Sequence, residues 1–142
     1  MSDRPLVGLA LCVVRGSKVL LHMRKGSHAA DMWAFPGGHL EMWESWEECA
    51  LRELKEEAGK IVVTTPKFWT AKNTFFQKDK KHYVVIFMLS HWKSGQATVE
   101  EPNKCECWEW FDWYDNMPSP LMPGIKMLVA EGADPWEFPE LT

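Results

Sequence analysis

The sequence has no apolar run approaching the roughly 20 residues that a membrane-spanning helix requires. Its first residues, MSDRPLVGLALCVVRGSK, lack a basic segment leading into a small-residue cleavage site. Neither a membrane association nor a secretory leader is therefore expected, and the expected location is cytoplasmic. A basic surplus is missing too: 16 Lys and Arg face 20 Asp and Glu, for a formal net charge of −4. Polyanion-binding surfaces draw on excess positive charge, so stable nucleic-acid binding is not expected. A phosphate-bearing ligand would need local arginines, backbone amides or a metal ion. Cysteine is sparse, at four residues. Cys105 and Cys107 form a C-x-C pair with no second Cys or His pair at zinc-finger spacing, so structural roles are expected for them. Repeats, linkers and low-complexity tails are absent as well.

What is present fits one mixed α/β domain over residues 1–142, with a hydrophobic share of 46% for its core. Nine tryptophans point mostly to packing, with a few available to stack on a base. VGLALCVV (7–14) and KVLLHMRK (18–25) predict two strands joined as a hairpin through RGS. Residues 26–44, broken by Pro36, Gly37 and Gly38, predict a loop. Strands are expected again over 61–76, 82–92 and 105–113, and a second helix over 118–132. Between them lies SWEECALRELKEEAG (45–59), a helix opened by the Ser45–Glu48 capping box and stopped by Gly59.

That helix carries glutamates on its apolar side. At about 100° per residue, Trp46, Ala50, Leu54, Ala58 and Leu51 span an arc of roughly 140°. Arg52, Lys55 and Glu48 lie opposite. Glu57 projects inside the arc, between Trp46 and Ala50, with Glu53 at its edge and Glu56 one step further. An acidic flank neutralised by Arg52 and nearby lysines explains Glu48 and Lys55 but not Glu57, because a partly buried, uncompensated carboxylate costs several kcal/mol, about 3–5. Converging carboxylates raise one another's pKa unless a cation sits among them. Oxygen-only donors suit a hard divalent ion, Mg²⁺ or Mn²⁺. The Gly37-Gly38 turn would let a backbone carbonyl approach such an ion.

From Gly38, five residues lead to Glu44, seven more to Arg52-Glu53, and then Leu54-Lys55-Glu56-Glu57-Ala58-Gly59 follow. This spacing resembles the Nudix box, G-x5-E-x7-R-E-U-x-E-E-x-G-U, where U is a bulky aliphatic residue. Every fixed position matches through Gly59. Lys60 stands at the final U, with Ile61 beside it to take over packing. Trp43 occupies a spacer position where the branch usually has glycine. FPGGHLEMWESWEECALREL, HYVVIFM and EPNKCECWEWFDW extend the likeness to the small MutT-type branch, and within it to eukaryotic enzymes linked to oxidised guanine nucleotides.

The resemblance implies the Nudix fold, an α/β (α+β) arrangement with a mixed β-sheet sandwiched between helices. It implies Glu53 and Glu57 as principal metal ligands, Glu56 as a further one, and a carbonyl of Gly37 or Gly38 completing the shell. Arg52 and Glu44 would brace the helix. The base that deprotonates water would be Glu53 or a glutamate outside the box, Glu101 or Glu106. Arg24 is a candidate for bidentate phosphate binding, or an ordinary strand-end arginine. Phe35, Asn73, Tyr83 and the segment Pro123-Gly124-Ile125 are the candidate base pocket, with His39 beside them chiefly as a loop brace. The expected activity is Mg²⁺-dependent (or Mn²⁺-dependent) hydrolysis of a nucleoside triphosphate, such as 8-oxo-dGTP, to the monophosphate and pyrophosphate. The alternatives are the same chemistry on dihydroneopterin triphosphate or NADH, and a non-catalytic nucleotide sensor. The expected partner is a small nucleotide substrate, and the resemblance also implies a homodimer.

Overall fold

The computed structural model describes residues 3–26 and 28–137. Ser27 of the expected loop and both ends of the expected 1–142 domain lie outside the described residues. The elements run β1 (Leu6–Arg15), β2 (Lys18–Arg24), β3 (Trp33–Ala34), β4 (Gly37–His39), α1 (Trp46–Ala58), β5 (Val62–Val63), β6 (Lys67–Phe76), β7 (Lys81–Ser94), β8 (Cys105–Asp112) and α2 (Pro123–Ala130), followed by a 3-10 turn at Pro135–Glu137.

β1 organises the sheet. Its end turns through Gly16 into β2, pairing Val14 with Val19, as the hairpin pattern predicts. Along its length β1 runs parallel to β7, from Leu6 opposite Tyr83 to Val14 opposite His91. β4 joins the first half of β1 antiparallel, β3 and β8 flank β2, and β5 and β6 pair with β7, giving a mixed eight-stranded sheet.

Both faces of β1 are covered. Leu9, Leu11 and Val13 pack with Ala50, Leu54 and Ala58 of α1, whereas Cys12 and Val14 pack with Ile125 and Leu128 of α2. A strand buried on both sides carries apolar residues at consecutive positions, which is why VGLALCVV does not alternate. The sheet sandwiched between two helices is thus the expected architecture. Among the described residues, no helix is long and apolar enough to cross a membrane. All four cysteines are free thiols.

The element boundaries differ from expectation in three places, and the packing of α1 and of the residues just after it in two more. The 26–44 loop contains β3 and β4, strands too short and too glycine-rich to show a period of two. The 61–76 strand is broken before β6 at Pro66, which has no N–H for a ladder. The second helix starts only at Pro123, the third proline in six residues, after Pro118 and Pro120. On α1, Trp46 and Leu51 are exposed while Cys49 is fully buried, so the packed arc is turned toward Cys49. Trp46 instead meets Phe68 at a ring separation of 5.6 Å. Ile61 is buried beside Ala58 and Lys60 is exposed, so packing after the box falls one residue late.

Candidate active site

α1 begins and ends as its sequence dictates. The amide of Glu48 donates to Ser45 Oγ, the amide of Ser45 donates to Glu48 Oε1, and Gly59 closes the helix with φ 79°. This fixed helix lies against β4. A Cβ on Gly37 would run into the Leu9 carbonyl, and one on Gly38 would stand 2.5–2.6 Å from the carboxylate of Glu53. Glycine at both positions therefore brings the β4 backbone onto β1 on one side and onto the helix carboxylates on the other. Trp43, at the spacer position, adopts φ 67°, so the loop keeps a left-handed turn with a residue that dislikes it.

Arg52 is the hub of the outer half of the site. Its Nε and Nη2 grip Glu44 at 2.6 and 3.0 Å, its Nη1 donates to both Glu53 and Glu56 at 2.8 Å, and its Nη2 also reaches the His39 carbonyl at 3.1 Å. The hydrogen bonds from Arg52 pull the Glu44 carboxyl down to about 2. This web ties the loop, β4 and α1 into one unit, the bracing expected of Arg52 and Glu44.

Glu57 behaves differently. Its Oε1 accepts from the amide of Gly37 at 2.8 Å, and burial, reinforced by the nearby charges of Glu53 and Glu101, pushes its carboxyl up to about 8. Burial also raises Glu53, against the pull of Arg52. The expected convergence of three glutamates is corrected here: Glu56 is exposed and turned to Arg52. Among the described residues, no cluster of three or more His, Cys, Asp or Glu side chains is gathered to hold an ion. The remaining donor set still fits a hard divalent cation. Glu53 and Glu57 press on the two glycines of β4, every donor is oxygen, and a cation would compensate the burial that raises both carboxyls.

Next to the carboxylates opens a mainly apolar cleft of about 150 Å³. Arg24, Phe35, His39, Tyr83, Pro123, Gly124 and Ile125 all line it, as do the backbones of Gly37 and Gly38. His39 Nε2 lies 3.2 Å from Tyr83 Oη and the two rings stack, so His39 is both brace and wall. Asn73 is a correction. It is exposed and bonds His82 at 2.9 Å, because strand alternation sends its neighbours Thr74 and Phe76 into the cleft instead. Gly124 also serves another purpose than ligand approach: a Cβ there would meet Phe87 Cζ at 2.7 Å, so the glycine seats α2 against the sheet.

A second, polar cavity of about 330 Å³ is lined by Glu57 and Glu101 together with Arg24, Lys25 and Lys104. Glu101 thus joins the site, whereas Glu106 lies exposed on β8 and lines neither space. Arg24 and His28 are common to both cavities. Sequence reasoning missed His28, Thr74, Phe76, Lys25 and Lys104. The alternation of β6 groups Thr74 with Phe76 on the face opposite Asn73, without saying which face meets the cleft.

Comparison with known proteins agrees with this geometry. The family model of the NUDIX domain matches residues 5–131. The oxidized purine nucleoside triphosphate hydrolase of Danio rerio is 33% identical over 106 residues, 75% of this chain and 65% of that protein. The ADP-ribose pyrophosphatase of Methanocaldococcus jannaschii is 39% identical over 117 residues, 80% of this chain and again 65% of the relative. The chain thus matches just under two thirds of the length of each. The crystal structure of a MutT NUDIX hydrolase from Burkholderia pseudomallei superposes with a TM-score of 0.82 at 30% identity, covering 90% of this chain and 98% of that one. The chain belongs to the Nudix hydrolase family.

Proposed function

We propose that the protein is a divalent-metal-dependent diphosphatase that hydrolyses a nucleoside triphosphate to the monophosphate and pyrophosphate. One observation carries the reading: the half-buried carboxylate of Glu57, fixed by the Gly37 amide, faces a cationic cavity that shares Arg24 and His28 with an apolar cleft. An apolar slot suits a base, and a cavity of carboxylates and cations suits a metal-bound phosphate chain.

In this reading Glu53, Glu57 and a carbonyl of Gly37 or Gly38 hold the ion, Mg²⁺ or Mn²⁺, and Glu56 is available if it leaves Arg52. The ion, when bound, neutralises phosphate oxygens and activates water. Arg52 and Glu44 keep the helix carboxylates oriented. The base is Glu53 or Glu101, the latter supported by its place beside Glu57. The Arg24 guanidinium donates one hydrogen bond, from Nη2 to the His28 carbonyl, and its buried Nε has no partner among the described residues, which leaves the fork under-bonded and suited to a phosphate. Phe35, Tyr83 and Pro123 enclose the base, with backbone groups of the cleft to read its edge.

A purine triphosphate, 8-oxo-dGTP among the candidates, is favoured by the Danio rerio relative. ADP-ribose is a second reading, favoured by the archaeal relative. The four free thiols suit a cytoplasmic enzyme. The homodimer is kept from the family likeness, and sedimentation as a monomer at micromolar concentration would remove it. The decisive assay incubates the protein with Mg²⁺ or Mn²⁺ and GTP, dGTP, 8-oxo-dGTP, dihydroneopterin triphosphate, NADH and ADP-ribose, with products resolved by chromatography. A triphosphate is expected to be turned over fastest. A folded protein that binds nucleotide yet hydrolyses none of them is a sensor instead.

A further inference from the structure

The polar cavity has more cationic character than catalysis at Glu57 alone requires. Its wall carries Arg24, Lys25 and Lys104 against Glu57 and Glu101, a local positive excess in a chain of net charge −4. The lysines come from separate loops joined by a backbone bond, Lys25 N to Lys104 O at 3.0 Å. Lys104 Nζ lies 3.8 Å from Glu101, and Lys25 makes no ion pair within 4 Å among the described residues. One donor of the residues lining this cavity, Arg24 Nε, is also without a hydrogen-bond partner among the described residues. Buried polar atoms in native proteins nearly always have one. The wall is short of anionic or accepting groups.

Occupancy of the two cavities follows from the proposed function, on which this inference rests. With the nucleoside in the apolar cleft and the chain crossing between Arg24 and His28, whatever lies beyond the cleaved bridge enters the polar cavity. For a triphosphate that portion is pyrophosphate, small and densely anionic. For ADP-ribose it is a sugar phosphate, larger, with one phosphate and a ring to be accommodated. Lysines from two loops, with no Phe, Trp or Tyr in the wall, suit the first and not the second.

We propose that the polar cavity is the receptor for the pyrophosphate product, with Lys25 and Lys104 as its binding residues, and that it makes the chain select nucleoside triphosphates over sugar-phosphate conjugates. In the step it serves, water adds its oxygen to one phosphorus flanking the α–β bridge and that P–O bond breaks. The bridging oxygen stays with the other phosphate, and the proton of water passes through a cavity carboxylate to solvent.

The test is calorimetric titration of the intact protein, in Mg²⁺, with sodium pyrophosphate and separately with GMP. Wild type is compared with the Lys25→Ala/Lys104→Ala double variant and with Lys25→Arg/Lys104→Arg. The double alanine variant is expected to bind pyrophosphate about tenfold or more weakly, with GMP affinity within about twofold of wild type, and the arginine variant is expected to retain both. Its kcat/KM should fall about tenfold or more for GTP and much less for ADP-ribose. Both lysines are exposed, so thermal melts of the variants should match wild type. Pyrophosphate affinity that is absent in wild type or unchanged in the alanine variant overturns the proposal, as does wild-type turnover of ADP-ribose equal to that of GTP. A wild type that hydrolyses nothing counts against the diphosphatase reading, and the pyrophosphate titration then decides the cavity by itself.

Discussion

The amide of Gly37 donates to Glu57 Oε1 at 2.8 Å, a bond that crosses from β4 to α1 over 20 residues of sequence. It turns a helix position that periodicity assigns to the core into a half-buried carboxylate with a fixed direction. Two other close approaches explain why β4 opens with two glycines: Gly37 is pressed against the Leu9 carbonyl of β1 and Gly38 against the carboxylate of Glu53.

Arg52 holds Glu44, Glu53, Glu56 and the His39 carbonyl at once. Arg52→Gln should preserve secondary structure by circular dichroism, lower the melting temperature, and reduce kcat/KM by about 10–100-fold, the usual cost of losing a group that orients metal ligands. Activity equal to wild type would remove Arg52 from its bracing role.

The acid limb of stability should report His22. Burial and the charge of Arg24 push its imidazole down to about 4. As pH falls below the ordinary value of about 6.5, the unfolded chain takes a proton that the folded chain refuses, so stability is lost down to pH of about 4, by up to roughly 3 kcal/mol. Glu57, pushed up to about 8, moves stability the opposite way across part of this window. The difference between wild-type and His22→Leu denaturation curves isolates the histidine: it should be level above about pH 6.5 and shift in favour of the variant as pH falls below it. A difference independent of pH would refute the buried neutral imidazole.

Much of this was legible beforehand. The capping box, the Gly59 stop and the box spacing are local signals, and they put Arg52, Glu53 and Glu57 on α1, where the structure has them. The fate of Glu56 was not legible, because helical spacing brings it to Arg52 as readily as to a metal. Asn73 was misassigned because a register shift between Phe68 and Thr70 sets which side of β6 faces the cleft, and a single strand does not disclose it. The polar cavity is assembled from β2, α1 and the 101–105 segment, so no stretch of sequence announces Lys25 and Lys104 together.

Trp43 is 95% exposed and held at φ 67°. Its side chain buries almost nothing, so relief of the left-handed backbone should dominate a substitution. Trp43→Gly should raise stability in urea denaturation by roughly 0.5–1 kcal/mol. A loss of stability would mean that the indole packs in solution.

Gly124 sits where a methyl group would meet Phe87 Cζ at 2.7 Å and Thr74 Cγ2 at 3.3 Å. Gly124→Ala should therefore cost about 1–3 kcal/mol and raise KM more than it lowers kcat, since Phe87 and Thr74 both line the cleft. Unchanged KM would separate the α2 seat from substrate binding.

Glu57→Gln is the most direct measurement. The amide oxygen can still accept from Gly37, so the fold should survive while the charge is gone. With Mg²⁺ and a nucleoside triphosphate, wild type should release monophosphate and pyrophosphate in equal amounts, and Glu57→Gln should lose about 100-fold or more of kcat/KM with a melting curve close to wild type. A folded Glu57→Gln that hydrolyses the triphosphate as fast as wild type would contradict the metal-helix mechanism.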